Sequence, residues 1–362
     1  MSTTANQFVP LSVRSDADRR SPRDWRLPSR VPPNLFGVAF GLAGLADAWW
    51  AAETALGTPR VAADAVSVVA TIAWLGLLFA YVRQGPHQVA SDLRDPVAGP
   101  FVSVAPITGM LLSTSLANYF FVAGQTLVVV FLAATLVLGA WLTGQWIVVD
   151  LEQDSVHPGY FLPTVAGGLI GAFAAAQVQL QSIAEMSFGI GIICWLLLGS
   201  ILLNRLFFRP WLPAALVPTL AIEAAPPAVA GVAYWAITGG AADPVAYLLA
   251  GYALLMALVQ LRFLPSYARL RFGPGFWAFT FSYSAVATDA LLWIARDRTA
   301  GATAAAVVVL ASITIFILAI AARTVVAIVY HQFLPAPQVG TEIATQRGSP
   351  RHHGVPSQPL RS

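Results

Sequence analysis

The chain has 362 residues, of which 57% are hydrophobic and 10% charged, with a mean hydropathy of +0.70. A soluble globular chain carries roughly 25% charged residues, so this composition excludes a water-solvated fold for most of the length. The net charge of +3 and the pI near 9.2 do not point to nucleic acid, because the basic residues, all arginine, lie in tails and between apolar blocks.

Residues 1–31 form a polar arm carrying Arg14, Arg19, Arg20, Arg23, Arg26 and Arg30. The arm has little apolar surface to bury, which predicts disorder. It is not read as a secretory signal, since the apolar stretch that follows is too long and lacks a small-residue cleavage site. Ten apolar blocks then follow at 34–55, 62–83, 101–119, 121–144, 161–181, 185–204, 213–237, 244–264, 275–296 and 301–326. Each is near the length of about 20 residues that a helix needs to cross a bilayer. Only Asn118 and Tyr119 separate the third from the fourth, which predicts a very tight turn. The domain reading is an arm over 1–31, a ten-helix membrane domain over 32–330, and a polar, disordered tail over 331–362.

Arginine distribution tests the count. With the N-terminus inside, the inner side holds the arm, Arg83, Arg94, Arg205, Arg209, Arg262, Arg269, Arg271, Arg347, Arg351 and Arg361. Arg323 snorkels to that side, and the outer side holds only Arg60, Arg296 and Arg298. This is a strong positive-inside bias, and an odd number of spans would spoil it. It predicts a multi-pass protein of a bacterial inner membrane with both termini cytoplasmic. The loop at 149–160 is predicted inside yet acidic (Asp150, Glu152, Asp154); acids count little in that rule.

Odd and even spans differ. Interior prolines fall at Pro106, Pro163, Pro218, Pro226 and Pro227, all in odd spans, and none is expected inside an even span. Proline removes a backbone donor. In lipid the freed carbonyl is tolerated only where protein or water reaches it. The intramembrane acids Asp47, Glu223 and Asp289 also lie in odd spans, as do the closely spaced glycine pairs Gly37/Gly41 and Gly167/Gly171. A charge within the membrane normally faces a cavity or a bundle interior. The prediction is an all-α membrane protein of five helical hairpins, with the first helix of each hairpin in an inner ring around an axial passage.

Four stretches carry a family resemblance. They are Pro33-Asn34-Leu35-Phe36-Gly37 leading into Gly41–Leu45, His157-Pro158-Gly159-Tyr160-Phe161-Leu162-Pro163-Thr164-Val165, Ala224-Ala225-Pro226-Pro227-Ala228-Val229-Ala230, and Phe276-Trp277-Ala278-Phe279-Thr280-Phe281. On them the chain resembles the tellurite-resistance/dicarboxylate transporter family. That family includes bacterial TehA, fungal malate permeases and the slow anion channels of plant guard cells. The resemblance implies five hairpins around a pore, a homotrimer with one pore per protomer, and a pore-blocking phenylalanine on the ninth helix, here Phe281. Plant members have proline after that phenylalanine, where this chain has Ser282, so the direction of the ring is left open. The predicted lining comprises Phe36, Pro106, Pro163, Pro226, Pro227 and Phe279, with Phe281 as the gate.

What the resemblance implies is transport of small anions, either chloride- or nitrate-like ions through a channel or C4-dicarboxylates such as malate through a carrier. Tellurite or another oxyanion would be a passenger of either. No arginine lies mid-membrane, so attraction would come from exposed N–H groups and positive helix ends. Weak, spread attraction suits conduction, because an ion must leave as well as enter. Ionised acids facing the path would repel anions; a protonated acid would instead bond between helices or couple proton movement to transport. Glu223, just before Pro226 and Pro227, is the expected coupling residue.

A lipid-processing enzyme would need clustered acids, histidines or cysteines at an interface, and the sequence shows none. The one cysteine, Cys194, can build no metal site. His87, His157, His331, His352 and His353 have no metal-ligand spacing, although His157 begins span five. No metal, cofactor, nucleotide motif or nucleic-acid partner is expected.

Overall fold

The protein is described by a computed structural model covering residues 30–297, 299–330 and 332–333. Arg14, Arg19, Arg20, Arg23, Arg26, Arg298, Arg347, Arg351, Arg361, His331, His352 and His353 lie outside the described residues, as does nearly all of both predicted disordered tails. Among the described residues ten helices are long and apolar enough to cross a membrane. The odd spans are Pro33–Leu56, Gly99–Ala117, Pro158–Gln177, Val217–Thr238 and Pro274–Asp297. The even spans are Arg60–Val82, Phe121–Val148, Gln181–Phe208, Pro244–Tyr267 and Ala302–Val329. Each end lies within four residues of its predicted place. Among the described residues there is no β-strand.

Short turns at 57–59, 118–120, 178–180 and 239–243 hold the two helices of a hairpin antiparallel and adjacent. Gly57 and Gly239 end spans one and seven in the left-handed conformation, at φ 70° and 66°, which glycine adopts without a Cβ clash. Longer segments join successive hairpins on the opposite side, where the odd helices begin. The first of these carries a short amphipathic helix, Pro86–Arg94. Its Asp92 is fully buried and receives Arg30, Tyr81 Oη at 3.0 Å and Gln88 Nε2 at 2.9 Å. Gln84 bonds both the N–H and the carbonyl of Val31. Together these contacts tie the start of span one to the end of span two.

Burial separates the helices as their prolines predicted. In the odd spans 61–78% of the most apolar window is buried, against 17–28% in the even spans. The even helix is also the more apolar member of each pair, as the lipid-facing member should be. Neighbouring odd spans touch in the order one, three, five, seven, nine, and nine closes back on one.

The prolines also shape how the inner helices begin. Pro106 cannot donate to the carbonyl four residues back, and span three is interrupted at Ser103, between Gly99–Val102 and Val104–Ala117. Span five opens as a 3-10 turn, Pro158–Phe161, followed by a π turn, Leu162–Ala166, around Pro163. Span seven opens with a 3-10 segment, Val217–Ala224, before Pro226 and Pro227. Spans one and nine open with the 3-10 turns Pro33–Leu35 and Pro274–Phe276. Buried Gln260 of span eight supports the longest of these segments. Its Nε2 donates to Leu220 O at 3.0 Å, and its Oε1 accepts from Tyr267 and Tyr283. One expectation is corrected: an even span does hold a proline, because span eight continues through Pro265 to Tyr267. That proline lies in the last turn, where a missing donor disturbs little of the helix.

The ring closes through small residues. A Cβ at Gly41 would stand 1.8 Å from Thr280 Oγ1, and one at Gly44 would stand 2.9 Å from Phe281 Cδ2. Such an approach excludes any side chain at Gly41. Gly41→Val should therefore destabilise the fold by at least about 1–3 kcal/mol, the usual range for overpacking. Thermal melting in detergent checks this. A melting temperature equal to wild type would contradict the closure.

Candidate pore

Three cavities lie along the axis of the ring, and residues from all five odd spans line the two larger ones. The first, about 250 Å³, sits at the N-terminal ends of the inner helices and is lined by Asn34, Phe40, Phe101, Leu162, Pro226 and Phe281 among others. The last, about 630 Å³, sits at their C-terminal ends, with Asp47, Glu53, Arg60, Asn118, Gln177, Trp235 and Arg296 on its wall. Between them is a void of about 30 Å³ bounded by Gly44, Asp47, Leu111, Ile170, Phe173, Val229, Val232, Phe281, Ala285 and Thr288. Phe281 and Val229 belong to the first cavity and to this waist. Asp47, Phe173, Val232 and Thr288 belong to the waist and to the last cavity. The three therefore form one path, narrowest beside Phe281, and the waist has room for about one water molecule.

Phe281 is held in a defined position. Its ring stacks on Phe40 of span one with centroids 3.6 Å apart and planes 11° from parallel. Gly44 provides the space behind it. Ser282, which stands where plant relatives have proline, lies within an unbroken helix, and its Oγ donates to Ala278 O at 3.1 Å.

Of the other predicted site residues, the cavities include Pro226 and Asp47. Phe36 does not line them: it is 1% exposed and packs edge-on against Tyr81 of span two. Phe279 faces Tyr267, Phe276 and Tyr283. Pro106, Pro163 and Pro227 shape the wall from behind and are not on it. Asp289 lies against span seven, where a Cβ at Gly231 would stand 2.5 Å from its Oδ1. Glu223 is also absent from the wall, and its Oε1 is buried without a hydrogen-bond partner. Most of these misses have one cause. Phe36, Pro163, Glu223, Pro227, Phe279 and Asp289 are each one residue from a lining position (Gly37, Leu162, Ile222, Pro226, Ala278 and Thr288). One residue is a rotation of about 100° on a helix.

Charge is uneven along the path. Among the described residues none with a positive charge lines the first cavity or the waist. The last cavity carries Arg60 and Arg296 near its rim, where they lie over the rings of Trp50 and Trp235 at 5.9 and 5.8 Å. Arg60 Nε bonds Glu53 Oε1 at 2.7 Å, and Arg296 Nη1 donates to Gly240 O at 3.0 Å. Five helices direct their N-terminal ends, the positive ends of their dipoles, at the first cavity.

A family model described as voltage-dependent anion channel matches residues 30–325, which include all five inner helices and every cavity-lining residue named above. The chain belongs to the voltage-dependent anion channel family. A curated relative, the Tellurite resistance protein TehA homolog of Haemophilus influenzae, is 29% identical over 267 residues, covering 73% of this chain and 81% of that protein. Membership in the voltage-dependent anion channel family places the chain among membrane transporters and channels for anions, not among enzymes.

His157 stands behind the wall of the first cavity. It caps span five, its Nδ1 accepting from Gly159 N at 3.1 Å, and its ring is parallel to Phe101 with centroids 5.6 Å apart. Burial pushes its pKa down from 6.5 to about 4. The unfolded chain therefore binds a proton at a higher pH than the folded protein does, and stability is lost as pH falls from about 6.5 towards about 4. The loss is on the order of 3 kcal/mol at most. His157→Asn keeps a cap acceptor and removes the titration, so its stability should fall less over that range. Pulse proteolysis at several pH values checks this; identical pH profiles would contradict it.

Proposed function

We propose that the chain is a gated passage for small monovalent anions of the chloride or nitrate kind, with Phe281 as the gate. The observation that carries this is the position of the Phe281 ring, at the border between the first cavity and the waist. A ring there closes the path sterically and excludes water from an apolar constriction. Swinging the ring away from Phe40 would join the cavities. Attraction for anions would come from the five helix N-terminal ends around the first cavity, strong enough for entry and weak enough for exit.

A proton-coupled carrier of C4-dicarboxylates such as malate is the second reading. The first cavity, at about 250 Å³, could hold such a molecule. Its expected coupling residue, Glu223, is not on the path, which favours the channel. Tellurite resistance, which the name of the Haemophilus relative mentions, would then follow from passage of an oxyanion.

The same reading places the protein in a bacterial inner membrane with both tails cytoplasmic. The described arginines support it: Arg30, Arg83, Arg94, Arg205, Arg209, Arg262, Arg269, Arg271 and Arg323 lie towards one side, Arg60 and Arg296 towards the other. A homotrimer, with lipid or a neighbouring protomer against the even helices, completes the proposal.

Phe281→Ala in proteoliposomes should raise chloride and nitrate current by about tenfold or more, since it removes the ring that narrows the path between the first cavity and the waist. Electrical recording checks this. Equal, negligible currents from folded wild type and variant would overturn the reading.

A further inference from the structure

Asp47 differs from the other two intramembrane acids. It lines both the waist and the cavity beyond it. Glu223 Oε1 and Asp289 Oδ1 are sealed away from any partner, whereas neither oxygen of Asp47 is sealed in this way. Among the described residues Asp47 has no hydrogen-bond or ion-pair partner, so none of them neutralises its charge. An anion crossing the waist must pass it at close range, because Gly44, Phe281 and Thr288 bound the same 30 Å³ void.

We propose that Asp47 is a charge filter on the far side of the waist from the first cavity. It admits anions when its carboxyl carries a proton and holds them off when it is ionised. The inference rests on the pore reading above and adds the residue that decides when, and for which charge, an open path conducts. Arg60 and Arg296 draw anions to the rim of the vestibule, and Asp47 on its floor decides passage.

The groups that could compete for this role are few. On span one, Glu53 is engaged by Arg60 of span two. Asp64 of span two is half-buried and accepts from Tyr119. Span nine contributes Arg296 at the rim, while Asp289 is turned towards Gly231. Spans three, five and seven and their turns present only uncharged side chains to the vestibule, such as Asn118, Gln177, Val232 and Trp235. Span ten lines none of the cavities. Asp47 is the acid within this set that is both unpaired and on the path.

The test uses the full-length protein with the gate opened by Phe281→Ala. Chloride current is recorded in proteoliposomes while the pH on the vestibule side is stepped from about 8 to about 5. The Phe281→Ala protein should conduct more as that side is acidified. Adding Asp47→Asn should give a current that is already high at pH 8, by about tenfold or more, and nearly flat with pH. Asp47→Ser serves as a second neutral variant if the first fails to fold, and should behave alike. Retention of the full pH response in folded Asp47→Asn and Asp47→Ser proteins would overturn the filter while leaving the pore standing. Absence of current in folded Phe281→Ala itself would overturn the pore reading, and the filter with it.

Discussion

A backbone carbonyl that has lost its donor cannot face hydrocarbon, and this constraint orders the whole molecule. Pro106, Pro163, Pro226 and Pro227 each remove an N–H from a helix that must still cross the membrane. Their helices therefore need neighbours on every side except one that holds water. Five such helices pack as a ring, and five regular, more apolar helices shield them from lipid. Gln260 shows how the outer layer contributes: from span eight it donates to Leu220 O in the irregular opening of span seven.

The same irregularity produces the functional features. Each inner helix enters through a 3-10, π or broken turn on one side of the membrane, and these turns surround the first cavity. Regular helix resumes beyond them, so side chains fall into a stripe with helical spacing. On span one the stripe runs Gly37, Phe40, Gly44, Asp47; on span nine it runs Ala278, Phe281, Ala285, Thr288. Glycines at Gly41 and Gly44 let these two helices approach closely enough for Phe40 and Phe281 to stack. The path, its narrowest point and the acid beyond it thus come from two stripes brought together by small residues.

The ten spans, the pairing into hairpins and the division into inner and outer helices were all legible in the sequence, because each is written in residue class: apolar length, proline, charge. The wall of the path was not, because it depends on helical phase. Phase is lost where proline replaces α-turns by 3-10 or π turns, as at 162–166 and 217–224. Phe36 and Phe279 have the right chemistry and the wrong rotation, and Asp289 misses the path by one residue. Phe40 and Val229 could have been found by stepping three residues on from Gly37 and from Pro226. The roles of Gln260 and of buried His157 depend on contacts between distant spans and had no local signal.

One face of each inner helix borders a path open to water at both ends and pinched beside Phe281. Cysteine accessibility tests it most directly. Cys194 is the native cysteine, so single cysteines at Ala278, Val229, Thr288, Phe36 and Phe279 would be placed in a Cys194→Ser background and exposed to a small charged thiol reagent from each side. Position 278 should react from the side of the first cavity, position 288 from the opposite side, and position 229 from both once Phe281 is alanine. Positions 36 and 279 should stay unreactive throughout. Reaction at 36 and 279 with protection at 278 and 288, in folded protein, would contradict a path bordered by these faces.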